Sequence, residues 1–129
     1  MDKKYVSSGT HWETAVGYSR ALKIGNLIEV AGTTAVEDNE VVGVNDAYAQ
    51  TVFIIKKIQK ALQELDADLK DIIRTRIYVS DISKWEEIGK AHGQFFRDIK
   101  PASTMVEVSS LVNPNMLVEI EASAVVDGK

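Results

Sequence analysis

The sequence contains no cysteine. That excludes disulfides, thiolate nucleophiles and cysteine-based metal sites together, and it suits a reducing, cytoplasmic setting. Proline occurs only at Pro101 and Pro114, so each reads as a boundary and neither belongs to a proline-rich linker. Histidine is nearly as rare: His11 and His92 lie far apart in the chain, without metal-ligand spacing. No phosphate-cradling glycine loop, dinucleotide fingerprint or serine nucleophile elbow occurs, so neither a metal nor a cofactor is expected. No window approaches the roughly 18 consecutive apolar residues of a membrane span, and Met1-Asp2-Lys3-Lys4 opens a polar stretch, not an apolar signal core. Positive charge is in short supply. Fifteen Lys and Arg face 19 Asp and Glu, for a net charge of -4 and a pI near 5.2. The molecule as a whole therefore repels nucleic acid and acidic membranes. Its densest basic cluster, Lys56-Lys57 with Lys60, reads as the solvent face of a helix.

What is present is ordinary for a folded protein: 129 residues, 45% apolar and 26% charged. This length fits one domain over residues 1–129, able to bury roughly two-thirds of its unfolded surface. Tyr18 to Ile24 and Asn26 to Gly32 read as a strand hairpin joined at Gly25-Asn26. Residues 36–44 read as a loop with a short edge strand. Asn45-Asp46 offers a helix N-cap, after which Tyr48, Val52, Ile55, Ile58, Leu62 and Leu65 recur at three- and four-residue spacing, predicting a helix of about five turns. Asp71 to Ser80 alternates and is rich in β-branched residues, so it predicts a strand. Ser83 and Glu86 match a capping box opening a second helix, with Trp85 as its anchor, Ile88, Phe95, Phe96 and Ile99 on its apolar side and Pro101 beyond it. Two strands follow, Ser103 to Ser109 and Met116 to Val126, separated by the turn Asn113-Pro114-Asn115. The expected fold is α+β in the order β-β-α-β-α-β-β, with small strands possible besides, and with two helices on one face of a mixed sheet.

Strand alternation then divides the sheet into two faces. Val118, Ile120, Ala122 and Ala124 share one side of the last strand, suited to packing under helices, and Glu119, Glu121 and Ser123 share the other. In the middle strand Ile73, Thr75, Ile77 and Val79 oppose Arg74, Arg76 and Tyr78. In the strand between them in sequence, Ser103, Met105 and Glu107 oppose Thr104, Val106 and Val108. If the charged sides coincide, Arg20, Arg74 and Arg76 stand against Glu107, Glu119 and Glu121. Two readings stay open: a solvated sheet face, or a face covered by a further subunit, which the apolar residues Leu22, Ile24 and Met105 on it would favour.

Several stretches together resemble the Rid family, also called the YjgF family. They are Gly17-Tyr18-Ser19-Arg20-Ala21 with Gly25-Asn26, the Ala31-Gly32-Thr33 turn, Pro101-Ala102-Ser103-Thr104-Met105-Val106-Glu107-Val108, and Val118-Glu119-Ile120-Glu121-Ala122. The resemblance implies a chorismate-mutase-like YjgF fold and a homotrimer with ligand clefts between subunits. It also implies hydrolysis of small reactive 2-imino or enamine acids to keto acids and ammonia. By position, Tyr18 would line the cleft, Ala31 and Gly32 would form its backbone floor, and Glu119 would activate the attacking water. His11, beside Trp12, would cover the cleft mouth, and His92 reads as a half-buried helix residue.

The chain departs from the family's pattern at Ser103, where deaminase members carry an arginine that clamps the substrate carboxylate. Losing a charged hydrogen bond of roughly 1.5–3 kcal/mol corresponds to about 10- to 150-fold in binding. Met105 stands where the family often has cysteine, and Gly89 where it has asparagine. Either Arg20 or Arg76 supplies the missing charge, or the ligand is not a 2-imino carboxylate. The competing role for both arginines is pairing with Glu107, Glu119 or Glu121. A non-catalytic ligand-binding or regulatory trimer is the alternative function, and a ribonuclease the weakest third.

Overall fold

A computed structural model describes residues 2–127. Its frame is a six-stranded mixed sheet in the order β1-β2-β3-β8-β6-β7, comprising β1 (Lys3–Val6), β2 (Ala21–Ile24), β3 (Leu27–Thr33), β6 (Ile72–Val79), β7 (Ala102–Glu107) and β8 (Val118–Val125). Neighbouring strands run antiparallel except β6 and β7, which are parallel and are joined by the helix α3 (Trp85–Phe96). A small hairpin of β4 (Val36–Glu37) and β5 (Glu40–Val41) stands apart from the sheet. The long helix α2 (Ala47–Gln63) lies across β3 and β8 and packs against α3. The α+β class and the layering of α2 and α3 on one sheet face are as the alternation predicts.

The core lies between those helices and the sheet. Ile28, Ile54, Ile55, Ile58, Leu62, Ile88, Val118 and Ile120 are all buried to 2% exposure or less. Burying each such side chain fully stabilises the fold by about 1.5–3 kcal/mol before chain entropy is subtracted. Along α2 the buried stripe runs Ala47, Gln50, Thr51, Ile54, Ile55, Ile58, Ala61 and Leu62, so it is rotated from the predicted one and leaves Tyr48 and Val52 only half-buried. Hydropathy alone misplaces it because Gln50 is fully buried. Its amide donates to the carbonyls of Gly43 and Asn115 at 3.0 and 2.9 Å and accepts from the Leu117 amide at 2.9 Å. A buried polar side chain so satisfied clamps two loops onto the helix at no desolvation deficit.

Five local expectations are corrected. First, β1 and the short helix α1 (His11–Val16) extend the predicted order at the N-terminus, so the described residues hold three α-helices. No apolar repeat announces α1, whose buried residue is the charged Glu13. Second, Asp81 takes over the capping expected of Ser83 and Glu86: its carboxylate accepts from the Ser83 amide and hydroxyl at 3.0 and 2.7 Å, and the chain enters α3 through a 3-10 turn over Ile82–Lys84. Trp85 at that entry is 56% exposed, so Ile88 and Phe96 anchor the helix instead.

Third, a register shift between Ile72 and Arg74 puts Ile72 inside and leaves Ile73 52% exposed, the opposite of strict alternation. Fourth, Ala31-Gly32-Thr33 is not a turn. It is the irregular end of β3, where the register against β8 shifts between Val30 and Thr33. Fifth, Glu107 does not join the charged outer face. Its carboxylate accepts from the Ile82 amide at 2.9 Å, and Arg74 donates to Thr104 at 2.8 Å.

Candidate functional site

One corner of the sheet gathers polar groups that burial would otherwise forbid. Helix α1 ends at Gly17, whose left-handed φ of 92° suits glycine; the Gly17 and Tyr18 amides both donate to the Glu13 carbonyl at 3.0 Å. That stop delivers Arg20 to the head of β2, between β1 and β3, where the Arg20 amide donates to Val6 and its carbonyl accepts from Ala31. Arg20 is only 4% exposed. It donates to the Gly32 carbonyl at 2.7 Å, to the Thr33 hydroxyl at 3.0 Å and to the Tyr18 hydroxyl at 3.3 Å. Its guanidinium also lies 5.6 Å from the centre of the Tyr18 ring, within cation–π range.

The charge partner of Arg20 is Glu13, at 3.4 Å, and not Glu107, Glu119 or Glu121. Glu13 also accepts from the Ser7 hydroxyl at 3.0 Å, the Ser8 amide at 3.1 Å, the Ser8 hydroxyl, and the Thr10 hydroxyl at 3.1 Å. Burial pushes its carboxyl upward, but the Ser8, Ser7 and Thr10 donors together outweigh burial and hold it below the usual carboxylate range. Thr10 and Glu13 have capping-box spacing, which signals the start of α1 but not the pairing with Arg20; Thr10 makes no side-chain cap there.

Glu119 comes to the same corner from β8. Its carboxylate lies so close over Gly32 that a Cβ there would sit 2.1 Å from a Glu119 oxygen. A side chain at this position would displace the acid, so glycine is what lets Glu119 rest there. Glu119 is half-buried, and its pKa is raised: burial dominates, Glu121 adds to it, and Arg20 opposes it. A carboxyl held nearer neutrality is better matched to proton transfer near neutral pH than an ordinary one. Trp12, Tyr18, Arg20, Gly32, Lys57 and Glu119 face a common cavity of about 190 Å³, which also has apolar walls at Val16 and Met116. Drug-sized ligands occupy roughly 300–1,000 Å³, so this space suits a metabolite of a few heavy atoms. His11, its ring 4.5 Å from that of Trp12, is exposed at the side of the cavity wall.

Tyr18, Gly32 and Glu119 also line a shallow, open depression on the outer sheet face, together with Ala31, Arg76 and Glu121. There Arg76 lies 3.7 Å from Glu121, which also accepts from the Tyr78 hydroxyl at 2.9 Å. Both Arg20 and Arg76 are thus engaged by carboxylates within the chain.

Ser103 and Met105 lie elsewhere. They sit on β7, at the edge of the sheet beyond β6, and face the helix side. There Met105 packs against the core, and the Thr75 hydroxyl donates to Ser103 at 2.7 Å. Thr75 also meets the half-buried His92 ring at 3.0 Å, and burial lowers the His92 pKa. A single chain therefore assembles Tyr18, Arg20, Ala31, Gly32 and Glu119, with Arg76 beside them, and leaves Ser103 and Met105 apart. Glu13 and Trp12 belong to the corner and were not singled out as site residues, and Lys57, expected with Lys56 and Lys60 on the solvent face of its helix, is instead half-buried at the cavity. For Lys57 the only signal is its phase: Lys56 and Lys60 share a helix face one turn apart, and Lys57 is turned away from it.

A six-stranded sheet of this order under two helices is the architecture of YjgF-fold proteins. A family model described as Endoribonuclease L-PSP matches residues 9–126. A crystal structure from Mycobacterium tuberculosis, titled as a member of the YjgF/YER057c/UK114 family, is 50% identical with a TM-score of 0.89, covering 97% of this chain and 100% of that one. A Rid-family structure from Yersinia pestis is 26% identical with a TM-score of 0.85, over 97% of this chain and 100% of that one. Among curated proteins, the 3-aminoacrylate deaminase RutC of Acinetobacter baylyi is 34% identical over 108 residues, 83% of this chain and 85% of that protein. A RutC family protein of Pyrococcus abyssi is 36% identical over 109 residues, 83% of this chain and 84% of that protein. The chain belongs to the Rid family, the family of YjgF and RutC proteins.

Proposed function

We propose that this protein is a deaminase-type hydrolase acting on small imine or enamine intermediates, and that it works as a homotrimer with its ligand clefts between subunits. Family membership and the relative named as 3-aminoacrylate deaminase support the deaminase class. The observation that carries the reading is Glu119: a half-buried carboxyl with a raised pKa, seated over Gly32 beside Tyr18 in a metabolite-sized cavity. In the reaction, Glu119 takes a proton from water as its oxygen attacks the C=N carbon. The tetrahedral carbon then collapses to C=O, its nitrogen receives the protons, and ammonia leaves. An enamine reaches the same path once its carbon is protonated to give the imine. Tyr18, its hydroxyl held by Arg20, borders the reacting atoms. The trimer gives a place to the exposed Ser103, which an edge strand can present to a neighbour's Glu119 but not to its own, whereas Met105 stays packed against its own core.

The test generates 2-imino acids in situ with an amino acid oxidase and follows keto acid release with and without the protein. Wild type is expected to accelerate release, and Glu119→Gln to lose about 100-fold or more. The acid limb of kcat/KM is expected above the ordinary glutamate range. The raised pKa also sets a stability signature. The folded state holds the Glu119 proton more tightly than the unfolded chain, so its contribution is fully present below the unfolded value. It is lost as pH rises through the folded one. Glu119→Gln is therefore expected to raise the melting temperature at pH 7–8. No acceleration by wild type would sink the hydrolase. If Ser103→Arg then gained activity, the neutral Ser103 would mark a scaffold that binds a different small ligand.

A further inference from the structure

In the Lys56-Lys57-x-x-Lys60 run of α2, Lys56 and Lys60 are exposed while Lys57 is half-buried and lines the same cavity as Tyr18 and Glu119. An ammonium has three N–H donors. Among the described residues, the hydrogen-bond partner of Lys57 is the Val36 carbonyl, at a long 3.3 Å, and no carboxylate lies within salt-bridge distance. The charged groups around it come from four elements. Arg20 at the head of β2 and Glu13 of α1 neutralise each other, Glu37 of β4 and the following Asp38 are exposed, as are Lys56, Lys60 and Glu64 along its own helix, and Glu119 of β8 stands across the cavity. A half-buried cation with donors to spare, beside a small cavity, is short of an anionic partner. Neither Arg20 nor Arg76 is so placed, since each already has a glutamate.

We propose that Lys57 is the anchor for a ligand carboxylate in this cavity, doing the work for which Ser103 lacks a charge. Resting on the imine-hydrolase reading, this makes the ligand a small 2-imino or 2-oxo acid held between Lys57 at its carboxylate and Glu119 at its reacting carbon. Burial first, and then the charge of Arg20, lower the Lys57 pKa, with Glu13 and Glu37 opposing them. The anchor is therefore weakened by alkali sooner than an ordinary lysine would be.

The experiment titrates 2-oxobutanoate, and 2-butanone as its uncharged counterpart, into wild type, Lys57→Met and Lys57→Arg, with melting temperatures recorded for each. Wild type is expected to prefer the keto acid. Lys57→Met is expected to weaken keto acid binding about tenfold or more while leaving the ketone unchanged. Lys57→Arg is expected to restore most of the loss and to keep it at alkaline pH, where wild type declines. Keto acid binding that is equal in wild type and Lys57→Met, or a wild type that does not distinguish acid from ketone, overturns the anchor. In both cases Lys57 merely reaches along the surface to the Val36 carbonyl. The two readings fail separately. Imine hydrolysis with the same KM in wild type and Lys57→Met removes the anchor and keeps the hydrolase. Lys57-dependent keto acid binding without hydrolysis does the reverse.

Discussion

The sheet carries two arginine–glutamate pairs built from the same chemistry, and they differ in nearly everything that sets their worth. Arg20 and Glu13 lie 3.4 Å apart with side chains 5% and 4% exposed, and seven other groups or contacts hold them: four donors on Glu13 from Ser7, Ser8 and Thr10, and three acceptors on Arg20. Arg76 and Glu121 lie 3.7 Å apart on the open face, 41% and 34% exposed, with the Tyr78 hydroxyl as company. Water screens the second pair and competes for it, whereas the first can exist only because its remaining hydrogen-bonding capacity is filled. The buried pair acts as a frame, since Arg20 ties α1, Tyr18 and the end of β3 together beneath the catalytic candidate. The exposed pair leaves its arginine and its carboxylate accessible on the outer face.

Three substitutions would break or sharpen that contrast. The largest effect is expected from Glu13→Ala, which strands a buried guanidinium and should cost about 3–5 kcal/mol in a denaturant titration. A loss below about 1 kcal/mol would mean that Arg20 is not enclosed as described. Next comes Gly32→Ala. The clash falls on the far end of the Glu119 side chain, which can swing away, so the melting temperature should hold while keto acid release drops by about 100-fold. A fall in both together would show the strand itself giving way. The smallest is Glu121→Ala. It should cost under about 1 kcal/mol at low salt and less at high salt, because the pair is exposed. A cost matching that of Glu13→Ala would erase the distinction between the two pairs, and one that appeared only at high protein concentration would indicate a subunit contact.

Much of this was legible along the chain. The alternation of β8 separates Val118, Ile120 and Ala122 from Glu119 and Glu121, and all five lie as expected, because one face is buried and a one-residue slip would reverse every side chain. The N-cap at Asp46 was legible for a local reason, a carboxylate that accepts the Ala49 amide at 2.9 Å. The candidate site was legible only as far as Tyr18, Gly32 and Glu119 coming together at one cavity, and not in its partnerships. The pairing of Arg20 was assigned to the wrong glutamates, since alternation counts faces and cannot see a short helix folding a charge back over an edge strand. Ile73 was assigned to the wrong face because a bulge adds a residue that periodicity cannot register. Ser103, Thr75 and His92 meet across gaps of 28 and 17 residues, and nothing local signals such a contact.

The sequence by itself determined the class of fold, the order and character of its main strands and helices, and the family, because these rest on periodicities and on motifs read within a few residues. Tertiary structure alone decided which charge meets which, how deeply Lys57 is buried, and that Glu119 rests on Gly32. Those properties depend on how much water each group loses, and desolvation is set by everything packed around a residue, not by what stands beside it in the chain.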